Sequence, residues 1–458
     1  MPIIDLPLEL LHLIGSNLDQ KDTRNLISTS HRMHSVFQQK LYTNVTIRQR
    51  NVNAAQSFLY TVARNPELAG YVQSLTLADW ETYDWDIHRD WNIPRDPQKT
   101  TKRPNFDGDL IRKLVDEAAD YPKEDKSKWL QDLEEYYDDA WLALLIPRLT
   151  GLRKISFEWP YGSYHVDKML EKAARNGENA VHSYQMHPFF KFPSVRKVSG
   201  WKVAEDAKEE EEEEEELEDF DRHPTEVLKG YSLLPQCSNV TDIDLSQSNA
   251  GEGMQQWIQA CKALKSFRII HGGPVFSYDD AQPRKLYNSL SLHKSTLEAI
   301  WFEYDDQGGD GENDDEWMGS FVDFYNLKFL RLSLPNLVGL NEQGSSARKI
   351  CDVIPSSLET LFLDIAWGAF FDVWDDLAEI ATSRKFSKIA TFYIEGHNIS
   401  EPEDVAKVEW LQQRCREVGV ACHVKDLVRV RGHIAYLEDT RLRNSLWPRC
   451  EAEDLGYY

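Results

Sequence analysis

Two hydrophobic periods divide the chain, and the first 47 residues follow the helical one. Leu10, Leu11, Leu13, Ile14 and Leu18 recur at helical spacing behind Leu6 and Pro7, and a proline is tolerated in a first turn. Asp19, with Asp22 three residues on, predicts the cap of a second helix that carries Leu26 and Ile27. Ser30 predicts the cap of a third, with Met33, Val36, Phe37 and Leu41 on its apolar side. On a helical wheel the apolar stripe of the first helix runs from Leu13 through Leu10, Ile14 and Leu18 to Leu11. That stripe is wider than two short neighbours can cover. A unit of roughly 40 residues buries too little surface to be stable alone. Part of the stripe must therefore meet the rest of the chain or a partner.

From Tyr42 onward the pattern changes to apolar, two others, apolar, one other, apolar. It occurs at Val45-Ile47, Val72-Leu75-Leu77, Leu152-Ile155-Phe157, Val240-Ile243-Leu245 and Leu264-Phe267-Ile269. It continues at Leu297-Ile300-Phe302, Leu327-Leu330-Leu332, Leu358-Leu361-Leu363 and Ile389-Phe392-Ile394, with a partial copy at Val195-Val198. The last four full copies start 30, 31 and 31 residues apart. Helical stretches are predicted between copies at 53–64, 253–262, 283–293, 315–325, 345–353, 371–383 and 402–418. A strand followed by a helix at a fixed period predicts an α/β solenoid with a parallel sheet. The L-x-x-L-x-L core resembles a leucine-rich repeat. Its period is longer than usual, and Pro335, Ala366 and His397 stand where an Asn or Cys is expected, so the copies are degenerate.

Three segments interrupt the copies. Residues 79–150 are rich in Trp, Tyr and Asp and predict a helix at 127–146. Residues 160–192 hold another helix and the aromatic run His187-Pro188-Phe189-Phe190. Residues 205–221 are a low-complexity acidic run whose like charges keep it unfolded, and 305–316 read as a second acidic loop. The expected organisation is a helical module at 1–47, a solenoid at 48–424 and a capping tail at 425–458. The solenoid carries the insertions at 79–150 and 160–192 and the disordered run at 205–221.

The formal net charge is −24, from 76 acidic and 52 basic residues. Such a field repels phosphate backbones and anionic lipid, so neither nucleic acid nor membrane is an expected partner. The six cysteines are scattered with no C-x-x-C pair, which argues for reduced thiols in the cytoplasm or nucleus. The N-terminus has no signal-peptide pattern, and no apolar run reaches the roughly 20 residues of a membrane span.

The stretch LPLELLHLIGSNL…DTRNLISTSHRMHSV…LY resembles an F-box, the module that docks a substrate receptor on the Skp linker subunit of a Skp–cullin–F-box ubiquitin ligase. Leu6-Pro7, Glu9, Leu10, Ile14, Leu18, Asp22, Leu26, Ser30, Val36 and Leu41-Tyr42 carry the match. Thr23 departs from it, standing where a hydrophobic residue is common, and so does Ser30-His31. Asn65-Pro66-Glu67-Leu68 is similar to fungal F-box receptors. The resemblance implies that Leu6, Pro7, Leu10, Leu11, Ile14, Leu18, Leu26 and Val36 meet the Skp subunit, and cullin through it. It also implies a non-catalytic adaptor that holds an unidentified protein target; the alternative is a scaffold acting with the Skp subunit outside a ligase.

No phosphate-cradling glycine loop, G-x-S-x-G elbow or H-E-x-x-H motif is present, so no catalytic residue, metal ligand or cofactor site is assigned. His31 and His34 share a helical face but lack a third ligand nearby. Cys415 and Cys422 read as buried thiols. Neighbours in a strand alternate sides, so the residues between the core positions should line an exposed strand face. There Trp301, Arg331, Phe362 and Tyr393 recur at one position of consecutive copies, with Glu303, Asp364 and Glu395 two residues on. These are residue types enriched at binding hot spots, and they are the expected target site. The insert at 79–150 is the alternative.

Overall fold

The computed structural model describes residues 3–48, 52–78, 106–118, 123–135, 137–158, 165–166, 169, 192–201, 233–248, 253–272, 281–304, 315–341, 345–365, 373–396 and 402–426. The acidic run at 205–221, the aromatic run at 187–190, most of the 305–316 loop and most of the tail lie outside them. Two compact units divide the chain, one formed by Met1–Asn176 with Asp221–Leu228, the other by Gly177–Phe220 with Lys229–Tyr458.

The first unit opens with three helices, α1 (Leu8–Ser16), α2 (Gln20–Ile27) and α3 (His31–Thr43). Asp19 caps α2 by accepting the Asp22 N–H at 2.6 Å, and Ser30 caps α3 by accepting the Met33 N–H at 3.2 Å, as the spacing predicts. Leu11, Met33 and Phe37 form the centre of the bundle, with Leu6, Leu26, Ile27 and Val36 packed on it. Gly15 lets α1 approach α3, because a Cβ there would lie 2.5 Å from the Phe37 ring. Thr23 is fully buried, and its hydroxyl donates to the Asp19 carbonyl at 2.6 Å. The polar departure from the F-box pattern is thus satisfied locally.

Three parallel strands follow in the same unit: β1 (Asn44–Arg48), β2 (Ser74–Ala78) and β3 (Lys154–Glu158), pairing in sequence order. Helices α4 (Val52–Arg64) and α5 (Pro66–Tyr71) connect β1 to β2. Helices α6 (Gly108–Ala118), α7 (Lys123–Glu135) and α8 (Asp138–Leu145) precede β3. The single helix expected at 127–146 is broken at Tyr137, whose backbone is extended (ψ 124°). Every residue of α8 is buried, Asp138 and Asp139 included. The Asp139 carboxylate accepts the backbone N–H groups of His165 and Val166 at 2.7 and 3.0 Å. The His165 ring in turn meets Asp132 at 2.7 Å and stacks on Trp129.

The second unit holds eight parallel strands: β4 (Lys197–Trp201), β5 (Asp242–Ser248), β6 (Ser266–His271), β7 (Ala299–Tyr304), β8 (Phe329–Ser333), β9 (Thr360–Ile365), β10 (Thr391–Gly396) and β11 (Ala421–Asp426). Each pairs with the next in the sequence. The core positions stack in register: Ile243, Phe267, Ile300, Leu330, Leu361, Phe392 and Cys422 are successive partners. The connections contain α9 (Gln255–Ala260), α10 (Pro283–Leu290), α11 (Leu334–Val338), α12 (Ile350–Val353), α13 (Val373–Thr382) and α14 (Pro402–Val418). This is the α/β architecture with a parallel sheet that the strand–helix period predicts.

The stretch 315–325 is not the helix that was expected. Two of its N–H groups go to neighbouring copies: Met318 N donates to Asn336 O at 2.9 Å and Phe321 N to Val353 O at 2.7 Å. Met318, Phe321 and Phe324 are fully buried there, so tertiary packing overrides the helical pattern. The expected helix at 345–353 shrinks to α12. Side chains also tie consecutive copies together. His293 sets its ring between the Ile258 carbonyl (2.7 Å) and the Leu264 N–H (3.4 Å), and Ser357 donates to the Leu327 carbonyl at 2.7 Å.

Candidate functional site

Two groups of residues singled out in the sequence have opposite fates. On α1 the apolar stripe is split. Leu11 is fully buried, whereas Leu10 is 46% exposed, Leu13 64% and Leu8 48%. Pro7 is exposed too, and Ile14 and Leu18 are half-buried beside this patch. The cause is the side on which α1 packs: Leu11 and Gly15, four residues apart, form the edge against α3. Leu10 and Leu13 then face away from it.

This corrects one expected docking residue. Leu11 is the centre of the bundle and offers no surface to a partner. Leu6, Leu26 and Val36 are half-buried against that same centre, so they support the face more than they form it. Leu8 and Leu13 belong with Leu10. The helical wheel contained Leu13, but only the packing direction shows that its edge of the stripe is the free one. His31 and His34 are exposed, and among the described residues no group of three or more His, Cys, Asp or Glu could hold a metal ion.

The strand face of the second unit is the reverse case. Asp244, Arg268, Trp301, Arg331, Phe362, Tyr393 and His423 are successive register partners across β5–β11. Trp301, Arg331, Phe362 and Tyr393 among them are expected from the sequence to be exposed. Instead Trp301, Arg268 and Arg331 are each 1% exposed and Phe362 is 2% exposed. The side chains pack as a ladder. The Arg331 guanidinium lies over the Phe362 ring at 3.7 Å and the Trp301 ring at 4.7 Å, and Arg268 lies over Trp301 at 4.6 Å. Phe362 stacks on Tyr393 at 5.6 Å, and Tyr393 on His423 at 4.7 Å. Phe329 lies alongside Trp301 at 5.9 Å.

Carboxylates two residues on complete the ladder. Arg331 Nη2 donates to Glu303 at 2.7 Å and to Glu395 at 3.2 Å, and the Trp301 indole N–H donates to Glu303 at 2.8 Å. Lys425 lies 3.8 Å from Glu395. Toward β4, Arg268 and Lys197 both pair with Asp244 at 3.3 Å. Glu395 is buried, while Glu303, Asp364 and Tyr393 are half-buried. Burial raises the Tyr393 hydroxyl above its ordinary pKa. Only His423, at the β11 end, is exposed. The physical reason for the difference is that planar cations and rings at one strand position lie a few ångströms from their neighbours' faces. They satisfy one another by cation–π and stacking contacts. The expected target site is therefore a packed ladder with little area to offer a partner.

Residues 231–388 match the family model of a leucine-rich repeat domain. The span takes in β5–β9, the region where the core pattern recurs most regularly. No curated protein matches the chain. No helix among the described residues is long and apolar enough to cross a membrane.

Proposed function

We propose that this chain is the substrate-recognition subunit of a Skp–cullin–F-box ubiquitin ligase, acting in the cytoplasm or nucleus. The N-terminal helices dock on the Skp subunit, which links them to cullin, and the repeat domain holds a protein target. The role is adaptor, not catalyst. Holding the target near a charged ubiquitin-conjugating enzyme raises the effective concentration of its lysines. The observation that carries this reading is the free apolar edge of α1. Leu8, Leu10 and Leu13 stand in water on a helix whose opposite edge is buried, in a segment that resembles an F-box. Exposed apolar clusters on a folded module mark interaction sites. The leucine-rich repeat domain supports the other half of the reading, as a protein-binding module. Five cysteines among the described residues are free thiols, in keeping with a reducing compartment.

The test is Leu10→Asp with Leu13→Asp. Both side chains are already solvated, so the thermal midpoint should not move. The Skp subunit should no longer co-purify, because each carboxylate would be buried against an apolar surface at a cost of several kcal/mol. Undiminished co-purification would refute the docking face.

A further inference from the structure

The connections of three consecutive copies meet around Trp317. Arg284 stands in the first turn of α10, Trp317 in the segment after β7, and Arg348 just before α12. Trp317 is half-buried, and its indole N–H donates to the Leu337 carbonyl at 3.2 Å. The Arg348 guanidinium lies 3.6 Å from the centroid of its ring, and the Arg284 guanidinium 5.0 Å from it. The chain makes room for this at Gly339, which turns at φ +69°. A Cβ there would lie 2.8 Å from Arg348 Nη1 and 3.1 Å from the Trp317 Cβ.

Two like charges therefore share one ring, and neither has an acid. Among the described residues each guanidinium has one hydrogen-bond partner, a backbone carbonyl. Arg284 Nη1 donates to Met318 O at 2.9 Å and Arg348 Nη1 to Val338 O at 3.1 Å. Glu316 is next to Trp317 in the chain, but its Oε2 accepts the Arg284 backbone N–H at 3.0 Å. Cations nearby in the same copies are matched: Lys294 with Asp323 at 3.5 Å, Lys328 with Glu298 at 2.9 Å and Lys349 with Glu379 at 3.2 Å. In a chain of 76 acidic and 52 basic residues, two adjacent arginines without a carboxylate run against the composition. A ring face offsets only part of a guanidinium's charge. One carbonyl occupies one donor of each guanidinium fork and leaves the rest available.

We propose that Arg284, Trp317 and Arg348 form a phosphate-binding clamp that takes a phosphorylated side chain of a protein target. The charge fits: a phosphate monoester carries about −1.5 to −2 at pH 7, so one group neutralises both guanidiniums, which a single carboxylate does not. The geometry fits too, because planar guanidinium forks pair bidentately with phosphate oxygens. Sharing one ring keeps the two forks near enough for one phosphate to reach both. The uncovered part of Trp317 offers an apolar surface to the residues beside the phosphate. A peptide suits the site better than a lipid surface or a nucleic acid. Those present phosphates in dense arrays that a chain of net charge −24 repels, whereas a peptide brings a single one. The proposal rests on the repeat domain being the target-holding half, and it gives that target a chemistry.

The experiment measures fluorescence anisotropy of labelled peptide libraries on the full chain. Degenerate flanks surround a fixed phosphoserine, phosphothreonine or phosphotyrosine, and phosphatase-treated twins are the reference. At least one phosphorylated library should bind about tenfold or more above its twin, and inorganic phosphate should compete. Arg284→Gln and Arg348→Gln should each remove about tenfold of that preference, while Lys294→Gln leaves it intact. Arg348 is exposed, so its variant should keep the wild-type melt, and it decides the test if Arg284→Gln folds poorly. Equal binding of all libraries and their twins would overturn the proposal, as would a phosphate preference that survives in Arg348→Gln. Equal weakening by Lys294→Gln would overturn it as well, by showing only diffuse charge. Sedimentation with phosphatidic acid vesicles that depends on Arg348, without peptide binding, would assign the site to a lipid and overturn it too. Skp co-purification is read on the same proteins and should be unchanged. Skp binding without a phosphate preference removes this site and leaves the docking face standing; the converse removes the docking face alone.

Discussion

Arg331→Met probes the buried ladder at its centre. The guanidinium is 1% exposed, donates to two carboxylates and lies between two ring faces. Methionine keeps much of the packing and removes the charge. Breaking a buried pair by removing one partner costs about 3–5 kcal/mol, because the other charge stays buried. The two cation–π contacts add about 0.5–2 kcal/mol. Two neighbours offset part of the loss: the Trp301 indole still donates to Glu303, and Lys425 remains near Glu395. The expected destabilisation is therefore about 3 kcal/mol. In a unit of this size that is roughly 6–12 °C in thermal midpoint. Circular dichroism melts and urea titrations of wild type and variant measure it. Lys328→Met is the control: its pair with Glu298 at 2.9 Å is half in water, and no measurable change is expected. A triple variant, Arg331→Met with Glu303→Gln and Glu395→Gln, should recover much of the loss by leaving neither of the two carboxylates charged without the arginine. A fall below about 1 kcal/mol for Arg331→Met would refute the reasoning, since the ladder would then be uncoupled from folding.

His293 is buried and neutral, and desolvation holds its pKa below the ordinary 6.5. The unfolded chain therefore binds the proton first, so stability is full above pH 6.5 and falls as the pH drops below it. His293→Gln should flatten that slope in urea titrations between pH 7 and 5, at a cost of about 1–3 kcal/mol at pH 7 for the disturbed hydrogen bonds. Leu11→Ala should cost about 2–5 kcal/mol of stability by opening a cavity between α1 and α3, whereas Leu13→Ala should leave the melt unchanged and weaken Skp co-purification. Gly253→Ala places a Cβ 2.7 Å from the Lys285 backbone at φ +76°, and should destabilise the repeat unit by at least about 1–3 kcal/mol in the same melts.

The strands and caps were legible because their signals are local. L-x-x-L-x-L marks each strand within six residues, and Asp19 and Ser30 cap the helices that immediately follow them. Helix α11 went unread although Ser333 caps it and Pro335 sits in its first turn, since five residues carry no period. The ladder was half legible. Its register position could be counted from the repeat, but not its burial, because Arg331 meets carboxylates 28 and 64 residues away. A single copy contains no trace of those partners. The split of the α1 stripe was hidden for a similar reason: it depends on Gly15 meeting Phe37, and the wheel of one helix does not show which edge its neighbour takes.

A buried charge and an exposed leucine are both informative because each runs against the ordinary sorting of side chains. They lead to opposite conclusions here. The strand-face charges left water in the company of opposite charges and ring faces, so the ladder is balanced inside the repeat unit. A target that reached Arg331 would have to break contacts of at least equal quality before making its own. Recognition built on that position would start at a loss, and the residues there are best understood as what holds consecutive copies in register. Leu8, Leu10 and Leu13 have no such internal balance. They stand in water on a helix that had another apolar edge available for its own bundle and used it. Folding of the module already has Leu11, Met33 and Phe37, so the free edge is not needed for stability. An apolar surface that folding does not use, on a segment too small to bury it, supports the proposal of a second protein surface there. That is why the proposed function rests on α1 and not on the more conspicuous aromatic and arginine row.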